Sequence, residues 1–342
     1  MTESTSDDEG ASGWRATLIR LWPGMLTCAI IALAASFISD HYGGPVLLYA
    51  LLFGMVLHFM SEEGPARPGI DFVARTVLRV GVALLGARIT IEQVTALGFG
   101  TILLVVTAVV LTIGFGFLMA RALRLPTDFG MLSGGATAIC GVSAAMALAA
   151  VMPRSQDNER NLIATVVGVA ALSTVAMILY PVLVSLLALT NAQAGIFLGA
   201  TIHDVAQVVG AGYMISPETG EASTVVKLMR VALLVPAVFA FGLFYRTRAQ
   251  DVSVQRPPLL PAFLLAFVAL VIFNSAGLIP ATVAAACSEV SRWCLIAAIA
   301  ALGLRTALRE LVKFGWRPVI LMVSETLFIA LIVLAVILAT AA

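Results

Sequence analysis

Gly199-Ala200-Thr201-Ile202-His203-Asp204-Val205-Ala206-Gln207 stands in an otherwise apolar run, with Gly195, Gly210 and Gly212 close on either side. A helix in lipid avoids both charge and loose backbone, because every unsatisfied polar group there costs several kcal/mol. This stretch carries both. One reading is a polar patch in a helix–helix contact. The stronger reading is a broken helix lining a transport site, since ionisable residues inside spans mark substrate and ion paths.

The rest of the chain supplies the membrane. Of its 342 residues 61% are apolar and 11% charged, with a mean hydropathy of +1.04. Soluble domains run at about 45–50% apolar and about 25% charged, so an all-α, polytopic integral membrane protein is expected. The net charge of +1 points to no nucleic-acid partner. Cys28, Cys140, Cys287 and Cys294 lie in apolar segments without paired spacing, so they are expected as reduced core residues, with no metal and no cofactor. Residues 1–20 are expected as a disordered cytoplasmic tail, acidic and Ser/Thr-rich at its start, and 21–342 as one transmembrane domain.

Apolar stretches of spanning length lie near 23–39, 44–60, 76–90, 97–120, 161–189, 223–245, 259–278, 281–304 and 318–340. Two more, 126–152 and 194–215, are Gly-rich and interrupted. The expectation is therefore nine full spans plus two broken or re-entrant segments, about 11 membrane segments in all. Arg15, Arg20, Arg67, Arg75, Arg121, Arg124, Arg246, Arg248, Arg256, Arg305, Arg309, Lys313 and Arg317 fall in alternate loops, while Asp40–Gly43, Ile91–Val94 and Ser216–Glu221 contain no Lys or Arg. The positive-inside rule then puts the N-terminus in the cytoplasm and the C-terminus outside. The loop 153–160 carries Arg154 and Arg160 beside Asp157 and Glu159, which favours hairpins over crossings for the Gly-rich segments.

Two echoes suggest internal repetition. Leu85-Gly86-Ala87-Arg88 with Gly98 recurs as Leu302-Gly303-Leu304-Arg305 with Gly315, at the same spacing but on opposite membrane faces. Gly135-Ala136-Thr137-Ala138-Ile139 is echoed by Gly199-Ala200-Thr201-Ile202. Inverted repeats of this kind are a mark of secondary transporters. The offsets of the two echoes differ, so one duplication does not account for both.

Candidate site residues follow from chemistry. Gly135, Thr137, Gly141 and Ser143 crowd the first Gly-rich segment. Glycine weakens a helix interior by about 1 kcal/mol, and a broken helix offers free N–H groups with a partial positive charge. The second segment contributes Gly199, Thr201, His203, Asp204 and Gln207. Lys227 and Arg230, three residues apart, share a helix face inside a span. Each costs about 2.5–3.5 kcal/mol at a helix centre, so Lys227 is expected to snorkel outward and Arg230, a turn deeper, to meet Asp204 directly or through substrate. Glu289 and Arg292 are expected as a structural pair. His41 and His58 stand at span ends and carry little functional weight.

The run from Gly199 to Gly212, with Lys227-Leu228-Met229-Arg230-Val231, Leu234-Val235-Pro236, the Gly134–Gly141 segment and the Leu85–Arg88 turn, resembles the YeiH-like family, often called sulfate exporters. The resemblance covers roughly residues 23–340. It implies a multi-pass protein of the bacterial inner membrane with the fold of cation/proton antiporters and bile-acid symporters: a core domain with two broken helices, a fixed scaffold domain, and a homodimer.

The expected function is secondary active transport of a small anion (sulfate, an organosulfonate or a small carboxylate) coupled to H+ or Na+. Lys227 and Arg230 would meet the anion beside free N–H groups near Gly135 and Gly199, and His203 or Asp204 would carry the coupling proton. A cation/proton antiporter centred on Asp204 is the runner-up, and a channel or sensor without coupled flux is third. An enzyme is not expected: no Ser-centred Gly motif, catalytic aspartate pair or zinc-hydrolase motif occurs.

Overall fold

A computed structural model describes residues 6–62, 64–153, 155–246, 262–306 and 315–341. In chain order the first helices are α1 (Ser6–Tyr42), α2 (Val46–Val56), α3 (Phe59–Glu62), α4 (Arg67–Phe72) and α5 (Leu78–Leu85), with a π-helical turn at Val73–Val77 joining the last two. Then come α6 (Ile91–Ala96), α7 (Gly98–Ala122), α8 (Thr127–Ala138), α9 (Val142–Ala149), α10 (Gln156–Leu186), α11 (Asn191–Thr201) and α12 (Val205–Ile215). The chain continues as α13 (Pro217–Ala232), α14 (Leu234–Arg246), α15 (Ala262–Ser275), α16 (Ala281–Arg305) and α17 (Trp316–Ala341). The described residues contain no strand.

Among the described residues six stretches are long and apolar enough to cross a membrane: Thr17–Tyr42, Gly98–Ala122, Gln156–Leu186, Pro217–Tyr245, Ala281–Arg305 and Trp316–Thr340. Large apolar side chains on α7, among them Phe99, Leu103, Val110 and Leu118, are exposed, as a surface meeting acyl chains requires.

Three of the nine expected spans take another form. In the 44–60 stretch α2 ends at Val56 and the short α3 starts at Phe59. In place of 76–90 the chain is helical from Arg67 to Leu85. It stops there because Thr90 starts a new helix: its hydroxyl accepts from Gln93 N, and its own N–H donates to Gln93 Oε1 at 2.9 Å. Within 259–278 the described helix is α15. Helix α1 begins at Ser6, so within the expected tail the helix already runs ahead of the span Thr17–Tyr42, an extension that is cheap once a helix is nucleated. Residues 1–5 of that tail, with Arg154, Arg248, Arg256, Arg309, Lys313 and Ala342, lie outside the described residues.

The chain divides into two compact units. The first comprises Met1–Leu85 and Ala281–Thr306. Here α16 packs on α1, α2 and α5 through small residues. A Cβ on Gly303 would stand 2.3 Å from Leu51 O, and one on Gly54 2.3 Å from Ala300 O, so the backbones touch. Arg305 pairs with Asp71 at 3.0 Å. Glu289, expected opposite Arg292, instead accepts from Trp293 Nε1 at 2.9 Å, because the indole one turn on lies closer to hand than a solvated guanidinium.

The second unit, Gly86–Pro280 with Ala307–Ala342, holds both Gly-rich segments. Helices α7 and α8 pack closely, α13 lies against α11 and α12, and α17 touches α7, α8, α10 and α11. Local sequence fixes the helix starts. Ser155 accepts from Asn158 N, Thr190 forms a capping box with Gln193, and Ser216 accepts from Thr219 N beside Pro217. Arg88 pairs with Glu221. Gly98 and Gly315, the matching glycines of the first echo, both adopt positive φ (75° and 84°), the one opening α7 and the other just ahead of α17.

The Gly54–Gly303 contact gives a direct test. Gly303→Val should lower the thermal unfolding temperature in detergent markedly, overpacking being worth about 1–3 kcal/mol or more. Gly114→Ala, where an added Cβ meets nothing within 4 Å, should leave it unchanged.

Candidate functional site

Each Gly-rich segment is a helix that stops and restarts. Helix α8 ends at Ala138 and α9 begins at Val142. Between them Gly141 takes φ +62°, a backbone that L side chains rarely adopt, and its N–H reaches back to Ala136 O at 2.8 Å. Helix α11 ends at Thr201 and α12 begins at Val205, with Asp204 as its N-cap. The two breaks touch: an added Cβ on Gly141 would lie 3.5 Å from His203 O.

A helix end leaves carbonyls without partners, and in lipid these must be satisfied by protein. Here α13 does it for both breaks. Lys227 Nζ donates to Ile139 O at 2.7 Å, to Ile202 O at 3.0 Å and to His203 O. Arg230 donates from Nε to Ala138 O (2.8 Å), from Nη1 to Gly199 O (3.1 Å) and Ile202 O (2.8 Å), and from Nη2 to Thr137 O (2.8 Å). Both side chains are fully buried. Lys227 therefore does not snorkel, and Arg230 turns its donors to backbone where Asp204 was the expected partner. The cause is geometric: carbonyls of two helix C-termini, each with a partial negative charge, converge on one face of α13.

Asp204 sits half-buried at the start of α12, where Oδ1 accepts from Ala206 N at 3.2 Å and its own N–H donates to Ser173 Oγ at 3.1 Å. Buried His203 places Nδ1 3.1 Å from Thr137 O and Nε2 2.9 Å from Thr326 Oγ1. A carbonyl only accepts, so the Nδ1–H tautomer fits Thr137, while the single Thr326 proton is shared between Nε2 and Met322 O, which lies 2.8 Å away. One turn beyond Asp204, buried Gln207 has Nε2 3.5 Å from Thr174 Oγ1 and its Oε1 without a partner. On α10, which packs against α12, the Tyr180 hydroxyl is likewise buried without a partner.

The other expected residues are placed differently. Gly135 and Gly199 lie inside the first half-helices, where the N–H groups are already bonded in the helix. They serve close packing: a Cβ would stand 2.4 Å from Leu148 Cδ1 at Gly135 and 2.5 Å from Ser223 O at Gly199. The expectation of free N–H groups there is corrected; the second half-helices start at Gly141 and Asp204. Thr201 returns its hydroxyl to Phe197 O at 2.6 Å, and Ser143, near the start of α9, is exposed.

Glu325 and Thr326 on α17 were not anticipated. Glu325 is fully buried; Ser133 Oγ donates to its Oε1 at 2.7 Å, and Thr137 Oγ1 lies 3.4 Å from Oε2. The signal was present: after Arg317 it is the only ionisable residue of the last span. Ser173, Thr174 and Tyr180 fall on one face of α10 by helical spacing, a weaker signal in a helix rich in small residues.

A family profile described as conserved hypothetical protein 698 matches residues 23–322. The chain belongs to this family. UPF0324 membrane protein CT0845 of Chlorobaculum tepidum is 50% identical over 317 residues, covering 92% of this chain and 88% of that one. UPF0324 membrane protein RB0971 of Rhizobium meliloti is 52% identical over 315 residues (92% and 91%), and UPF0324 membrane protein TauZ of Paracoccus pantotrophus 51% over 324 residues (94% and 96%). No solved structure matches the chain. These relatives support membership of the UPF0324 membrane proteins; the sulfate-exporter name gains no support from them.

If Arg230 is the clamp between the breaks, Arg230→Lys should destabilise nearly as much as Arg230→Met. A single ammonium cannot reproduce a fork that spans both helix ends, and each stranded carbonyl costs about 1–3 kcal/mol. Thermal unfolding in detergent checks this; full rescue by Lys would show that charge alone matters.

Proposed function

We propose that this protein is a secondary active transporter that carries a small anion across the bacterial inner membrane. Sulfate, an organosulfonate and a small carboxylate are the candidate classes, with H+ or Na+ as the coupling ion. The observation that carries the reading is the buried Lys227–Arg230 pair at the meeting of two helix breaks. Two cations stand there against one half-buried carboxylate, Asp204, which leaves a positive excess that a travelling anion can offset. The orphan Tyr180 hydroxyl and Gln207 amide carbonyl add hydrogen-bonding capacity in the same unit.

The cations act on an anion through their field, since their donors are largely committed to carbonyls. The two echoes support an inverted repeat: Gly98 and Gly315 share positive φ, and the Gly-Ala-Thr copies both close a first half-helix whose end Arg230 binds. A homodimer and an N-in, C-out topology complete the proposal. The rival reading, a cation/proton antiporter, is favoured by the half-buried Asp204 carboxylate standing at a break.

Uptake into proteoliposomes of labelled sulfate, thiosulfate, taurine and small carboxylates, with and without a pH gradient, tests the main reading. Gradient-driven accumulation of one of these anions is expected; movement of Na+ with none of them would give the site to the rival. Independently, a reporter active only in the cytoplasm should be silent when fused after Ala342, and strong signal there would reverse the orientation.

A further inference from the structure

We propose that Glu325 is the proton-binding carboxyl of the core, protonated while buried and exchanging its proton when the core opens to water. Its surroundings leave an ionised carboxylate without compensation. Helix α17 packs against α7, α8, α10 and α11, and α8 brings two hydroxyls and α7 the bare backbone of Gly116 to the Glu325 carboxyl. Ser133 donates at 2.7 Å and Thr137 stands at 3.4 Å. On the α7 side Gly116 has no side chain because a Cβ would come within 2.6 Å of Oε1.

Among the described residues no salt bridge reaches Glu325 and no ionised side chain acts on it directly. Asp128, at the far end of α8, is engaged by the Tyr245 hydroxyl. Arg317, at the start of α17, lies over the Trp316 ring. His203 bonds to Thr326, the next residue, while Arg230 and Lys227 face the carbonyls of the breaks. No cation touches the fully buried carboxyl, so ionising it costs desolvation that two hydroxyls only partly offset, whereas the neutral acid accepts from Ser133 at Oε1 and can give its own proton from Oε2 to Thr137 Oγ1.

Thr137 ties this proton to the breaks. Its hydroxyl meets Glu325, and its carbonyl accepts from Arg230 Nη2 and faces His203 Nδ1. Loss of the proton would add one negative charge beside a cluster holding Lys227, Arg230 and Asp204, cancelling its excess of one positive charge. An anion and a proton are then favoured together. That coupling rests on the carrier reading above; the protonation of Glu325 does not.

Infrared spectroscopy of the purified full-length protein in lipid, at neutral pH without Na+, tests it. A protonated-carboxyl C=O band is expected, absent in Glu325→Gln and moved to higher frequency in Ser133→Ala, where the carbonyl loses its hydrogen bond. If Glu325→Gln does not fold, the Ser133→Ala shift decides alone, and an unshifted band overturns the proposal. So does absence of the band in the unaltered protein, its persistence in Glu325→Gln, or its disappearance on adding Na+ at constant pH. Failed anion uptake with the expected bands would remove the carrier reading and leave Glu325 its proton.

Discussion

Two breaks can sit side by side inside a membrane protein only if their exposed carbonyls find donors, and here the donors come from less than one turn of α13. Lys227 and Arg230 supply most of them at the junction, reaching the carbonyls of Thr137, Ala138 and Ile139 on one side and of Gly199, Ile202 and His203 on the other. An ammonium suits carbonyls that converge on one point, and a guanidinium suits those spread along a plane, so the residue types are matched to the geometry. The charges are kept in a buried site by the helix ends themselves, whose dipoles present partial negative charge to them. Remove this arrangement and neither break is tenable in lipid.

Much of this was legible in the sequence because membranes make polarity conspicuous. His203, Asp204, Lys227 and Arg230 stand out against an apolar background, and all gather near the two breaks. What the sequence does not encode is which end of a break a glycine occupies. Gly135 and Gly199 suggested loose backbone, yet they are packing positions, and the left-handed residue is Gly141. Composition cannot separate these roles, since both need a missing Cβ. The sequence pointed Arg230 toward Asp204, yet Nε, Nη1 and Nη2 donate to backbone: charge pairing is visible in a sequence, whereas carbonyls freed by a helix break are not.

Span counting erred where helices are short or charged. Arg67, Asp71, Arg75 and Arg79 share the run from Arg67 to Leu85, which hydropathy discards although the backbone is helical throughout. Conversely, the capping box of Thr90 and Gln93 ends an apolar stretch that hydropathy would extend. Local hydrogen-bond chemistry overrules hydropathy at such points because a cap acts on the backbone itself.

The second half-helices are electrostatically unequal. At α12 the N-terminal partial charge is met by the Asp204 carboxylate, which accepts from Ala206 N. At α9 the N-cap is Gly141, which has no side chain to offer, and the adjoining Ser143 is exposed. The Cys140 sulfur accepts from Ala144 N in the first turn of α9, so one break restarts on a carboxylate and the other on a neutral thiol. The near-symmetric Gly-Ala-Thr copies build the shared C-terminal side that α13 clamps, and the differences between the segments, Asp204 against Cys140 and His203 against Ile139, fall where the helices restart. In a carrier built this way, the repeated residues maintain the scaffold of the junction, and it is the unrepeated ones that can distinguish a travelling ion.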